Sequence, residues 1–224
     1  MLAVFEKNER IRHIGHLDIQ RSVQRGLRRS NLPVSYSNGF NPHILITFAS
    51  ALSTGACGLR EIMDVTMKED VSEEEFLKKM NIAMPPELRL IEARAVDDKH
   101  PALMGMLRAA CYDLLIRNPE QAEMIIPAIA AMMKRETVPA MRKTKTALKE
   151  TDIRPLIYSL HGEGNHIYAT LALTERQACK PGMLMEALKR EAGIPEDKEV
   201  RILITRTALM GENSEGKLVP LEQL

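Results

Sequence analysis

Between Ile14 and Gly55 the chain gathers side chains able to bind or react. His16-Leu17-Asp18 comes first, then Arg21, Arg25, Arg28 and Arg29, then Tyr36-Ser37-Asn38-Gly39-Phe40-Asn41-Pro42. At ~100° per residue the four arginines fall within about a third of a helix circumference, while Ile19, Val23 and Leu27 fall opposite. One face is therefore apolar and the other cationic. Guanidinium groups bind phosphate or carboxylate through paired donors, so the face suits RNA or an acidic partner, with a simply solvated surface as the plain alternative. Asp18, in the first turn of this helix, favours the helix dipole and can accept backbone N–H bonds. His16 can give or take a proton near neutral pH, and His43, just past Asn41-Pro42, is a possible second member.

The Tyr36–Pro42 segment combines groups that tolerate unusual backbone angles or form hydrogen bonds (Ser37, Asn38, Gly39, Asn41) with Phe40 as an apolar anchor. Such a density of polar groups favours a binding loop over a bare chain reversal at Asn38-Gly39. A second loop, Ser53-Thr54-Gly55-Ala56-Cys57-Gly58, could offer backbone N–H groups to an anion, but it has neither a P-loop lysine nor dinucleotide spacing. No metal is expected. His13 and His16 would chelate only on a regular helix, which Gly15 disfavours, and Cys57, Cys111 and Cys179 form no Cys-x-x-Cys pair.

Composition sets the frame for these groups. With 224 residues, 45% of them hydrophobic, the chain can build a packed core of one or two domains. The 31 Lys plus Arg against 30 Asp plus Glu exclude a surface that is cationic throughout, so any polyanion contact must be local. Aromatic residues make up 4% with no Trp, which argues against a broad base-stacking surface. Nothing resembles a secretion signal or a membrane span, so a cytoplasmic protein without membrane contact is expected.

The elements that must position the chemistry follow from periodicity. Residues 2–14 read as a strand or short hairpin, 16–30 as a helix closed by Pro33, 34–52 as two extended pieces around a turn, and 62–67 as a strand. Ser72 with Glu75, stapled by Val71 and Phe76, starts a helix over 72–84, and a strand follows at 88–96. After a polar link at 97–101 come a strand over 107–117 and a helix opened by Asn118-Pro119 and running to about Arg135. A polar, lysine-rich stretch (142–152), a hairpin of 153–160 with 166–173, a helix over 181–192 and a strand over 200–210 complete the chain. The expected class is α+β: two tandem ferredoxin-like (βαββαβ) units packed together, at 1–97 and 103–211, with a tail at 212–224.

His16-Leu17-Asp18, Leu27-Arg28-Arg29 with Leu32-Pro33, Tyr36 to Pro42, and a glycine-bearing loop before Glu61 and Asp64 together resemble the radical SAM-linked protein family. The resemblance continues more thinly through Asp152-Ile153-Arg154-Pro155 and Arg206-Thr207. That family is a domain of unknown function encoded beside, or fused to, a radical S-adenosylmethionine enzyme, and sometimes near genes of RNA processing and ribosome biogenesis. The resemblance therefore implies a radical SAM enzyme as partner. Gly15 stands where the family commonly has Ser, and Asn38 where it has Gln. The chain lacks the Cys-x3-Cys-x2-Cys ligands of a radical enzyme, so the radical chemistry belongs to the partner.

The expectation is a non-enzymatic accessory protein without a cofactor, which binds RNA or a ribosome-associated component for that partner. Arg21, Arg25, Arg28 and Arg29 would hold phosphate. Tyr36, Ser37, Asn38, Gly39, Phe40 and Asn41 would shape the pocket, with His16 and Asp18 fixing it from the helix start. Two alternatives compete: a metal-independent RNA endonuclease using His16 and Tyr36, by analogy of fold order, and an adaptor that binds protein only.

Overall fold

A computed structural model describes residues 1–97, 99–143 and 148–224. Asp98 of the expected 97–101 link and residues 144–147 of the expected polar stretch lie outside them. In chain order the elements are β1 (Leu2–Lys7), α1 (His16–Arg29), β2 (Ile46–Phe48), β3 (Ala56–Val65), α2 (Glu73–Ala83), β4 (Leu90–Arg94), α3 (Leu103–Met106) and β5 (Leu107–Ile116). They continue with α4 (Pro119–Met133), β6 (Pro139–Lys143), β7 (Leu148–Asp152), β8 (Ile157–Glu163), β9 (His166–Ala172), α5 (Pro181–Glu191), β10 (Ile202–Glu212) and β11 (Leu218–Pro220). The class is α+β with mostly antiparallel pairing.

Two compact units divide the chain. One comprises Met1–Leu107 with Arg206–Leu224, the other Arg108–Thr205. In the first, the strand order is β4-β1-β3-β10, with β2 also on β3 and β11 on β10. Phe5 lies opposite Glu61, and Ala3 opposite Met63. The side chains of Ala3, Phe5, Met63 and Val65 join Ile19, Val23 and Leu27 of α1 and Phe76 and Met80 of α2 in one core. Burying these apolar stripes on one face of the sheet is what holds both helices there. Ser72 caps α2 through the Glu75 N–H at 3.2 Å, as its sequence signature predicts.

The second unit has the order β10-β5-β9-β8, with α4 and α5 packed together and the β6–β7 hairpin to one side. The expected 153–160 with 166–173 hairpin is present as β8 and β9. Periodicity missed β7, because Leu-Lys-Glu-Thr-Asp carries no apolar alternation; its pairing with β6, not its own burial, defines it. Residues 212–224, expected as a tail, contain β11 and a final turn in which Leu221 is fully buried and Glu222 accepts from Arg60 Nε at 2.7 Å. Cys57 and Cys179 are buried thiols, and desolvation pushes Cys179 up to about 12. No helix among the described residues is long and apolar enough to cross a membrane.

Candidate functional site

The segment from His16 to Asn41 separates into two environments, both in the first unit. The inner one begins at β1. The pairing of β1 with β3 shifts register between Phe5 and Lys7; the Lys7 side chain is buried, and its ammonium donates to the carbonyls of Arg12, Ile14 and Ala56 at 2.9, 3.0 and 3.1 Å. All three donors of the ammonium are thereby used, and the loop leading into α1 is tied to the start of β3. Burial lowers the Lys7 pKa; Cys57 and Glu61 raise it, and Arg206 lowers it.

Beside Lys7, Glu61 and Arg206 form a buried pair, 3% and 2% exposed. Arg206 Nε donates to Glu61 Oε1 at 2.8 Å and Nη2 to Oε2, the bidentate fork of a charge-assisted pair. Its remaining hydrogens reach Ser50 Oγ (3.3 Å), Ala51 O (3.5 Å) and Ser50 O (3.3 Å). Gly58 makes this possible: a Cβ there would lie 2.6 Å from Glu61 Cγ and Oε1.

His16 closes this environment from the first turn of α1, its ring edge-on to Phe48 at 5.1 Å. Burial lowers its pKa; Glu61 raises it, while Arg206 and Lys7 lower it, so the neutral imidazole is favoured. The cavity bounded by His16, Lys7, Phe48, Ser50 and Glu61 has about 10 Å³ of room, enough for at most a single water. The Lys7 ammonium is taken up by backbone carbonyls and the Glu61 carboxylate by Arg206, and the cavity leaves no space for a substrate. These groups hold the start of α1 in place.

The outer environment is solvent-facing. Arg21, Arg25, Arg28 and Arg29 are exposed on α1, opposite the buried Ile19, Val23 and Leu27. Two of the four are engaged: Arg21 pairs with Asp18 at 2.9 Å, and Arg29 Nη2 donates to the Ala83 carbonyl at 2.6 Å. Arg25 and Arg28 have no partner among the described residues. Asp18 therefore serves its neighbour on the helix surface, not the cavity.

The Tyr36–Pro42 segment is a closed loop. Tyr36 bridges to Ile44, Ser37 N donates to the His43 carbonyl at 2.8 Å, and Ser37 Oγ lies 2.8 Å from His43 Nδ1. Tyr36 holds the Lys68 ammonium 5.5 Å from its ring centre, which engages one ring face. Asn38, Gly39 and Asn41 are exposed, Gly39 at φ 121°, and Phe40 stands wholly in solvent at 106% exposure. Phe40 is thus no anchor within the fold but an unburied apolar tip. The other expected loop, Ser53–Gly58, is a turn into β3; Gly55 N–H is used by the Arg12 carbonyl at 2.8 Å.

No contact among the described residues joins His16 to Tyr36, and no group of three or more metal-ligating side chains gathers there. Sequence reasoning from residue types missed Lys7 and Ser50, whose roles follow from contacts with distant chain, Lys7 with the Ala56 carbonyl and Ser50 with Arg206. Glu61 and Arg206 entered only through the family resemblance, because a pair 145 positions apart leaves no local pattern.

Residues 1–181 match a family of uncharacterised proteins conserved in bacteria, DUF2344. The chain belongs to that family. Its matched span contains the arginine helix, the Tyr36–Pro42 loop and Glu61, and stops short of Arg206. No curated protein matches the sequence.

Proposed function

We propose that this member of the DUF2344 family is an accessory binding protein of the cytoplasm that holds RNA, or an RNA-containing translation component, for a partner radical SAM enzyme. The observation carrying the binding reading is the pair Arg25 and Arg28, exposed on one helix face with no carboxylate to neutralise them among the described residues. Guanidinium groups so placed meet phosphate oxygens without first breaking an internal ion pair. Phe40, at the tip of a loop pinned through Ser37 and His43, supplies an apolar surface on which an unpaired base stacks. The inner cluster, filled and self-satisfied, argues for a binding role of this segment over a catalytic one.

We propose further that the two units are each ferredoxin-like. This reading is supported by β1-α1-β2-β3-α2-β4, with β3 and β4 flanking β1 and β2 on β3, and by β5-α4-β8-β9-α5-β10, with β9 and β10 flanking β5 and β8 on β9. The partner enzyme is inferred from the family resemblance and from the missing cluster-binding cysteines.

The test is capture from bacterial extract, with and without ribonuclease, comparing wild type with Arg25→Glu, Arg28→Glu. Recovery of RNA with an iron–sulfur radical SAM protein, both lost in the variant, is the expected result. A radical SAM protein recovered without RNA and insensitive to ribonuclease would replace the RNA reading with a protein-only adaptor.

A further inference from the structure

The second unit carries a surface that the arginine helix and its loop do not explain. On β8, a Cβ at Gly162 would fall 2.6 Å from Ile126 of α4, so Gly162 faces the helices. Its partner Ile167, with Ala169 and Leu171, is buried on that same side. The alternating residues Ser159, His161 and Glu163 of β8 and His166, Tyr168 and Thr170 of β9 therefore share the other face. There His161 stacks on Tyr168 at 5.0 Å and 27°, and His166 stacks on Tyr168 at 5.9 Å and 10°. Asp113, opposite Tyr168 on β5, accepts from His166 Nδ1 at 2.7 Å. That bond places the proton on Nδ1 and fixes the ring in the ladder. A ladder of three rings on a sheet face clear of this unit's own helices is a preorganised stacking surface, despite the low aromatic content of the chain.

Beyond the strand ends where β8 begins and β9 finishes lies a groove of about 570 Å³, lined by Arg142, Lys149, Thr151, Arg176 and Gln177. Its carboxylate, Asp152, already accepts from the Val138 and Arg154 N–H groups at 2.7 and 2.9 Å. The three cations have no partner among the described residues. Moreover, Arg142 and Lys149 sit directly opposite one another across the β6–β7 hairpin. Like charges in cross-strand register repel, an arrangement that an anion between them relieves. From Tyr168 to Ala172 at the groove end of β9 is about 13 Å at ~3.3 Å per residue, a distance a short oligonucleotide spans. The hydroxyl pair Ser159 and Thr170, 2.9 Å apart, lies on the way.

We infer that the second unit binds single-stranded RNA, with phosphates in the Arg142–Lys149–Arg176 groove and bases against the His161–Tyr168–His166 ladder. Cationic groove and stacking rings are the two parts of a single-strand site. The inference rests on the reading of the chain as an RNA binder but assigns the contact to a different surface, so the two can fail separately.

The test is fluorescence anisotropy of the full chain with a labelled 12-nucleotide RNA of mixed sequence at stepped salt. Lys149→Gln with Arg176→Gln should flatten the slope of log affinity against log salt by about 1.4, at ~0.7 per lost phosphate contact. Tyr168→Leu and, at an exposed position less able to disturb folding, His161→Ala should each weaken binding about tenfold, with Tyr168→Phe close to wild type. In the absence of RNA, Lys149→Glu should raise the Tm by removing the like-charge opposition to Arg142. Affinity unchanged by both the groove and the ladder variants, or lost only in Arg25→Glu, Arg28→Glu, would overturn the inference while leaving the first-unit reading standing. Groove dependence without ladder dependence, with heparin competing as well as unlabelled RNA, would reduce the surface to a polyanion contact and overturn the base-binding part.

Discussion

Arginine does opposite work in two regions of the first unit. Arg206 is buried beside Glu61 with every donor satisfied, and Arg25 stands in solvent on α1 with none of its donors used among the described residues. The first position ties β10 to β3 and to the Ser50-Ala51 turn; the second leaves the fold indifferent to it. The difference is one of solvent. Desolvating a charge costs several kcal/mol unless it is paired and hydrogen-bonded, whereas an exposed charge makes little demand on its surroundings.

Removing the buried arginine should cost the fold most. Arg206→Met leaves Glu61 uncompensated and should cost about 3–5 kcal/mol in denaturant unfolding. Glu61→Leu combined with Arg206→Met removes both charges and should recover most of that loss, since a buried pair is often replaceable by apolar groups of similar volume. A double variant as unstable as the single one would show that Arg206 acts through its bonds to Ser50 and Ala51 rather than through Glu61.

His16 sits between the two regions and gives a smaller, pH-dependent effect. Burial, with Arg206 and Lys7 opposing Glu61, holds its pKa below the usual 6.5. As pH falls through 6.5 the unfolded chain takes up a proton that the folded chain does not. Stability attributable to this residue is therefore full above that value and declines below it, down to the folded pKa. His16→Gln should flatten that part of the stability–pH curve relative to wild type; parallel curves for the two proteins would place the neutral imidazole outside the cluster.

Legibility in the sequence follows the same division. Local patterns survive into the structure: the two-faced α1, the Ser72 cap of α2 and the β8–β9 hairpin each depend on residues within one turn or one reversal. What periodicity cannot reach are pairings set by distant chain, such as Lys7 with Ala56 O, Glu61 with Arg206, and the polar β7 held by β6. The arginine stripe was readable as a stripe. The Arg21–Asp18 pair is local to α1, but that Arg29 is spent on the Ala83 carbonyl, leaving Arg25 and Arg28, depends on where α2 ends.

Reversing the exposed pair should change stability least. Arg25→Glu with Arg28→Glu touches no buried group and breaks no ion pair, so unfolding free energy should move by no more than ~0.5 kcal/mol per site. Two reversed charges on one helix face should nonetheless abolish any phosphate contact made there. A denaturation midpoint shifted well beyond that limit would mean that these arginines support the fold, and loss of RNA capture in the same variant would then report damage, not recognition. A midpoint that stays in place gives the capture experiment its meaning: the surface can be inverted while the protein beneath it remains the same.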